Sequence, residues 1–342
     1  MRVLRTLGWI VLGLAIALGS AWCLLAILRA PAGAGPVREG LAAVFGLVAA
    51  GALVGLFVRR WRARALMAFV LAVVVFAIGW SRIQPSNDRS WRTEEALQAY
   101  ADIEGDRVTV HNIRNFQYRT ETDFTPAYYD KTFDLRELDS VDVFSVYWMG
   151  PDIAHIMLSF GFAGRDYLAV SIEARKEQGE GYSTVDGFFR HFELYYVVGD
   201  ERDLVGVRAI HRNDPPEEIY MYRIQAAPEG ARRLFLEYFR NINALREQPE
   251  FYNSLTTNCT STVWMNARVN PNHVPLSWKI IVSGHLPEYL YEKGRLDSSL
   301  PFEELRARGH VNERARAAGT AADFSQQIRV GLPGVVRRDP AP

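Results

Sequence analysis

The chain has 342 residues, which is enough for one or two domains with sizeable hydrophobic cores. Its 39 Lys and Arg residues balance 39 Asp and Glu residues, so the strongly basic footprint of a nucleic-acid-binding protein is excluded. This average hides a division, because the first 80 residues contain almost no acidic residues and the remainder has an ordinary soluble composition. The two parts predict a membrane anchor, residues 1–80, followed by a globular domain.

Three apolar runs within the anchor predict transmembrane helices at residues 7–28, 41–58 and 65–80. A bilayer core of about 30 Å needs roughly 20 helical residues, and a shorter run is tolerated where flanking Arg or Trp side chains reach the interface. A cleaved signal peptide is the alternative for the first run, but that run is too long and two further runs follow. The sequence therefore predicts an integral membrane protein.

Basic residues set the predicted orientation of these spans. Arg2 and Arg5 precede the first span, and the cluster RRWRAR at residues 59–64 separates the second from the third. The positive-inside rule places both groups in the cytoplasm. An odd number of spans then places residues 81–342 outside the cytoplasm.

The outer part is predicted to be α+β. Residues 81–105 are interpreted as a linker with a short helix, residues 106–320 as the catalytic domain, and residues 321–342 as a disordered tail. Alternating β-branched and aromatic residues predict an antiparallel sheet, with strands at 107–113, 128–135, 141–148, 153–162, 167–173, 191–198 and 219–223. Helical patterns follow at residues 230–247 and 258–268.

One cysteine in this outer domain is unusual. Cys23 lies in the first span, so Cys259 is a solitary thiol in an oxidising compartment. Thr256, Thr257 and Asn258 precede it and are good N-cap residues, so Cys259 is expected in the first turn of a helix. There the helix dipole favours the thiolate, and backbone N–H groups are available to an oxyanion. We interpret Cys259 as a nucleophile; the alternative is a small buried residue.

A nucleophilic cysteine needs a base, and His155 in the apolar strand AHIMLSF is the best placed of seven histidines. If Gly161 faces Tyr167 in a hairpin, His155 falls opposite Glu173, which would orient the imidazole. Asn258 is expected to cap the helix, with a contact to the oxyanion as the alternative. No zinc-like cluster or Gly-rich phosphate loop occurs, so neither a metal nor a cofactor is expected.

Four blocks of the chain resemble, in order, the Lnb N-terminal periplasmic domain family: AHIMLSFGF, YLAVSIEARKEQGEGYS, GFFRHFELYYVVGDERDLVGVR and FYNSLTTNCTS. The resemblance covers residues 108–270. It implies a membrane-anchored cysteine enzyme of the bacterial inner membrane, with its C-terminal domain in the periplasm. The implied fold is similar to permuted papain-like (NlpC/P60-like) domains, in which the His strand precedes the Cys helix. His155 and Cys259 match the family's pair, and Glu173, Arg175 and Lys176 match its charged block.

The expected function is a thiol-dependent acyltransferase or hydrolase that acts through a thioester on a membrane lipid, a lipoprotein or another acyl-bearing envelope substrate. Two alternatives stay open. One is a cell-wall amidase or peptidase of papain-like type, which an open polar cleft would favour over an apolar groove. The other is a non-catalytic envelope binding or scaffold protein, which a wide separation of Cys259 from His155 would indicate.

Overall fold

The computed structural model describes residues 2–31 and 35–334. It divides into two compact units. The first contains the chain up to Ser86 together with Tyr182–Phe192, and the second contains Asn87–Gly181 together with the chain from Glu193 onward.

The first unit is built on three helices: α1 (Arg2–Arg29), α2 (Gly35–Gly55) and α3 (Arg62–Ser81). Within them Thr6–Arg29, Gly35–Gly55 and Arg62–Ser81 are long and apolar enough to cross a membrane. Cys23 of α1 packs with Phe45 and Ala49 of α2 in a buried cluster. Helix α2 begins before the predicted apolar run, since its backbone hydrogen bonding extends through polar residues that hydropathy does not count.

The described residues of the second unit form ten strands. They are β1 (Tyr100–Glu104), β2 (Arg107–Arg114), β3 (Gln117–Tyr118), β4 (Phe124–Thr125), β5 (Tyr128–Asp134), β6 (Leu138–Tyr147), β7 (Ala154–Phe162), β8 (Asp166–Arg175), β9 (Glu193–Asp200) and β10 (Glu218–Arg223). The main sheet has the order β1-β2-β9-β8-β7-β6-β10, with β5 also paired to β2, while β3 and β4 pair separately. Each of the seven predicted segments overlaps one of these strands.

The main sheet is mixed rather than purely antiparallel. Its strands pair antiparallel except for β2 and β9, which run parallel and pair at Arg114 and Gly199. A parallel pair cannot be joined by a tight hairpin, and the long stretch of chain between β2 and β9 supplies the connection that it needs. The predicted α+β class is confirmed, and the predicted sheet type is corrected at this one junction.

Helices cover both faces of the sheet. They are α4 (Glu201–Gly206), α5 (Pro228–Glu247), α6 (Cys259–Ala267), α7 (Trp278–Ile281), α8 (Leu286–Glu292), α9 (Phe302–Gly309), α10 (Asn312–Ala318) and α11 (Phe324–Gln327). On one face Phe160 of β7 meets Phe235 of α5, with ring centroids 5.1 Å apart. Met157 points to the opposite face, where it packs in a core with Ala315 and Phe324.

The predicted linker at residues 81–105 differs from expectation. Its helical part is a single 3₁₀ turn, Thr93–Glu95, and the chain then enters β1, where Tyr100 pairs with His111 of β2. The side chain of Asn243 on α5 hydrogen-bonds both the N–H and the carbonyl of Ala101, at 2.9 and 2.7 Å. These long-range bonds favour the extended backbone over the local helical pattern.

The predicted disordered tail is also corrected for residues 321–334. Phe324, Ile328 and Leu332 are buried and complete the core beside Met157. Arg329 is 4% exposed and contacts two fully buried carboxylates, with Nη2 2.7 Å from Asp142 and 2.6 Å from Glu201. Local composition did not indicate these distant partners. Residues 335–342 lie outside the described part of the chain.

Replacing Arg329 is expected to destabilise the domain, because Arg329→Met leaves Glu201 buried without its cation. Loss of one partner of a buried ion pair costs about 3–5 kcal/mol. The measurement is the free energy of unfolding of the purified full-length protein, followed by tryptophan fluorescence. The control is Arg308→Met, whose ion pair with Glu304 is half-exposed, so a cost below about 1 kcal/mol is expected. Equal losses in the two variants would contradict a structural role for the buried group.

Candidate active site

The β7–β8 hairpin positions the predicted base and carboxylate. Gly161 pairs with Tyr167, as the sequence predicted, and the paired register continues to Met157 and Ser171. Beyond that pair the strands no longer form a ladder. His155 and Glu173 follow at this open end, on the face of the sheet that Met157 and Ser171 share.

His155 is linked to Glu173 both directly and through a hydroxyl. Its Nε2 atom lies 3.2 Å from Glu173 Oε1. It also lies 2.6 Å from Ser171 Oγ, and the Ser171 hydroxyl donates to Glu173 Oε1 at 2.7 Å. Because His155 is only 7% exposed, these contacts hold the imidazole in one orientation.

Helix α6 begins at Cys259, and Asn258 caps it. The Asn258 side chain accepts from the N–H groups of Thr260 and Ser261, both at 2.9 Å, and Ser261 Oγ accepts from the Asn258 N–H. The Asn258 amide donates to the Ser254 carbonyl at 2.8 Å. The expected cap is therefore confirmed, and the amide is not directed at an oxyanion.

This cap also limits the backbone donors at the helix start. The N–H of Thr262 donates to the Asn258 carbonyl, in addition to the two N–H groups held by its side chain. Within residues 2–31 and 35–334 the Cys259 N–H has no hydrogen-bond partner. Of the N–H groups from Cys259 to Thr262, that of Cys259 is therefore the one that the cap leaves without a partner.

Cys259 is a half-buried residue, and its thiol is within electrostatic reach of the His155 side chain. Burial raises the pKa of the thiol, but the charge and hydrogen bond of His155, with a further hydrogen bond from the Ile156 N–H, lower it below its ordinary value of 9.0. Thr260 Oγ1 lies 3.7 Å from the sulfur. The site therefore favours the thiolate.

The same contacts act on the imidazole in the opposite direction. Burial lowers the pKa of His155, but the Glu173 carboxylate and then the Cys259 sulfur outweigh burial and raise it from 6.5 to about 9. Each side chain thus favours the charged form of the other, a thiolate beside an imidazolium. Such a pair is the activated form of a cysteine nucleophile with its base.

Glu173 has its own cation, Arg208. Burial raises the pKa of the Glu173 carboxyl, but His155 and Arg208 hold it well below its ordinary value. Arg208 Nη2 lies 3.0 Å from Glu173, and Arg208 Nη1 lies 3.2 Å from Glu217. Arg208 belongs to the π-helical turn Val207–His211, a type of turn that often occurs at functional sites.

Arg175 and Lys176 lie apart from this hydrogen-bonded group. The Arg175 guanidinium stacks over the Trp91 ring at 4.2 Å and donates to the carbonyls of Glu95 and Ala96. Lys176 Nζ pairs with Glu95 Oε1 at 2.5 Å, and its charge helps to lower the pKa of Glu173. Their contacts indicate structural positions at the end of β8.

An apolar cavity of about 240 Å³ begins at Thr260, the residue that follows Cys259. Thr260 lines it, together with apolar side chains from the sheet, α5, α6 and α8: Val141, Val143, Leu158, Ala231, Leu234, Val263, Trp264, Leu286 and Leu290. Arg233, His273 and Arg295 add polar groups. An apolar lining with few polar groups is typical of a small-molecule site.

Over residues 2–31 and 35–334, no three or more His, Cys, Asp or Glu side chains come together in an arrangement that could hold a metal ion.

Sequence reasoning missed Ser171 and Arg208. Ser171 precedes Glu173 by two positions, so the period of a strand places both on one face, and this signal was available. No local pattern marks Arg208, because its partners lie on β8 and in the chain before β10.

The pH dependence of Cys259 alkylation tests the pair. We expect iodoacetamide to label Cys259 with an apparent pKa below 9, and His155→Ala to move the profile to higher pH and to slow labelling at pH 7. The reason is that the imidazolium stabilises the thiolate. Mass spectrometry of the full-length Cys23→Ala protein, with and without His155→Ala, measures the labelling rate of Cys259. Asn258 is retained in both variants, so the helix cap is the same. Superimposable profiles with and without His155 would show that it does not act on the thiol.

Comparison with known proteins gives one family. Residues 124–284 match the family model of the Lnb N-terminal periplasmic domain. No curated protein and no solved structure matches the chain. The match and the three apolar helices together fit an envelope-associated, membrane-anchored protein with a periplasmic domain. The matched segment carries His155, Glu173 and Cys259. The resemblance drawn from the sequence at residues 108–270 is therefore confirmed where it overlaps this match, at residues 124–270.

Proposed function

We propose that the protein is a cysteine acyltransferase or hydrolase, anchored in the bacterial inner membrane, that acts on a lipid, a lipoprotein or another acyl-bearing envelope substrate. The observation that carries the proposal is the hydrogen-bonded series His155, Ser171 and Glu173, together with the effect of His155 on Cys259 at the start of α6. A scaffold protein would need neither a lowered thiol pKa nor an oriented, charged imidazole.

In the first half-reaction the Cys259 thiolate attacks the carbonyl carbon of an ester, and a C–S bond forms. The oxyanion is stabilised by the Cys259 N–H, the donor that the cap leaves available. The His155 imidazolium gives its proton to the departing alkoxide as the C–O bond breaks. The product is an acyl thioester on Cys259.

In the second half-reaction an amine or a water molecule attacks the thioester carbonyl. Neutral His155 takes the proton of the attacking group, the C–S bond breaks, and the thiolate and imidazolium pair is restored. Glu173 stabilises the imidazolium throughout and keeps its Nε2 in place, while Ser171 Oγ accepts a second hydrogen bond from the same nitrogen.

Two features support an acyl substrate and a papain-like relationship. The cavity beside Thr260 is apolar, which favours an acyl chain over the polar peptide stem that a cell-wall amidase would bind. The strand that carries His155 precedes the helix that begins at Cys259, which is the order of a permuted papain-like domain.

Trapping the thioester tests the proposal. Full-length protein is incubated in vesicles that contain a phospholipid or a diacylglyceryl peptide with an alkyne-tagged acyl chain. We expect the tag on Cys259, removable by neutral hydroxylamine as a thioester is, and absent from Cys259→Ala. Cys23→Ala is the matched control and should label normally, since Cys23 lies within α1. Labelling by a peptidoglycan fragment but by neither lipid donor would replace this proposal with the amidase.

Narrowing the cavity tests its role. Val263 lines the cavity, so Val263→Trp is expected to slow acylation by long-chain donors at least tenfold relative to short-chain donors. Met265 lies on the same helix and is 36% exposed, and Met265→Trp should leave chain-length preference unchanged. The measurement is the acylation rate with donors of different chain length. If Val263→Trp slows acylation by long-chain and short-chain donors equally, the cavity does not hold the acyl chain.

A further inference from the structure

The segment Tyr182–Phe192 connects β8 to β9 along the chain but belongs to the unit of membrane helices. It attaches to the last residues of two of them. His191 Nδ1–H donates to the Arg29 carbonyl at the end of α1, at 2.8 Å, and Arg190 Nη1 donates to the Trp80 carbonyl near the end of α3, also at 2.8 Å.

Side chains reinforce these attachments. The Phe189 ring is 6.2 Å from the Trp22 ring of α1, and the Arg190 guanidinium lies over the Trp80 ring at 4.9 Å. Arg29 Nη1 pairs with Asp186 at 3.2 Å. Tryptophan and arginine are the residues that mark the interfacial level of a membrane protein. The segment is therefore attached at the interface end of the apolar helices.

The same segment presents large apolar side chains outward. Tyr182, Val185 and Phe188 are 50%, 47% and 41% exposed. Asp186–Phe188 forms a 3₁₀ turn, in which residues three apart lie above one another, so Val185 and Phe188 share one side. Phe189 faces the helices instead and is buried.

We propose that Val185 and Phe188, with Tyr182, insert into the lipid of the outer leaflet next to the ends of α1 and α3. The occupant of this apolar surface is bilayer lipid because the segment is continuous with the ends of apolar helices and lies among interfacial Trp and Arg side chains. Exposed aromatic and aliphatic side chains at that depth leave water and become buried at the boundary between the lipid headgroups and the acyl chains. This inference does not depend on the proposed catalytic role.

Spin labels on the full-length protein in phospholipid vesicles test this proposal. In a Cys23→Ala, Cys259→Ala background, a nitroxide is attached at Val185→Cys or at Phe188→Cys. Thr184→Cys is the matched control, exposed in the same segment but off the side that Val185 and Phe188 share. The readout is accessibility to oxygen, which concentrates in lipid, and to a water-soluble nickel chelate.

We expect the ratio of oxygen to nickel accessibility to be higher at 185 and 188 than at 184. Equal ratios with free access of nickel at all three positions would place the segment in water and overturn the proposal. Low accessibility to both reagents at 185 and 188 would also overturn it, since a protein surface would then cover the segment. If that surface belongs to a second copy of the protein, labels on the two copies broaden each other's spectra. This spin–spin broadening would then disappear when the labelled protein is diluted with unlabelled protein.

Discussion

The buried charges around the proposed nucleophile alternate in sign, and the site depends on that alternation. With Cys259 as thiolate and His155 as imidazolium, the series continues through Glu173, Arg208, Glu217 and Arg212. A charge moved from water into a protein costs several kcal/mol unless an opposite charge and hydrogen bonds compensate it. Arg208 keeps Glu173 ionised, and Glu173 in turn favours the charged form of the His155 imidazole. Arg208 therefore acts on the ionisation of the Cys259 thiol indirectly, through these two side chains.

The β7–β8 ladder ends where Cys259, the first residue of α6, meets the sheet, so groups from both the helix and the sheet act on its sulfur. The paired register stops at Met157 and Ser171, and next to this end the Ile156 N–H helps to lower the pKa of the Cys259 thiol. The helix cap uses the neighbouring first-turn donors, which leaves the Cys259 N–H available. The thiol is thus influenced by the open end of the two strands as well as by the dipole of α6. This arrangement separates the groups that act on the sulfur from the donor proposed to bind an oxyanion.

Apolar surface is used for different purposes in the two units. In the first unit it lies on three helices that are long enough for a bilayer, and on a short segment attached to their ends. In the second unit it lines a cavity that begins beside Thr260. Side chains around an unfilled apolar space lose dispersion contacts, so such a cavity costs stability unless a ligand fills it. The proposed acyl substrate gives that cost a functional reason.

The sequence by itself determined the features that depend on local pattern. Hydropathy located the three helices, a period of two located seven strands, and the residues before Cys259 predicted a helix start. The Gly161–Tyr167 register then placed His155 opposite Glu173. Only the tertiary structure decided that residues 100–104 form a strand, that Arg329 orders the C-terminal segment, and that Ser171 and Arg208 join the site. The physical reason is that period and composition specify which face a residue occupies, whereas the partner of a buried charge comes from a distant part of the chain and is set by packing.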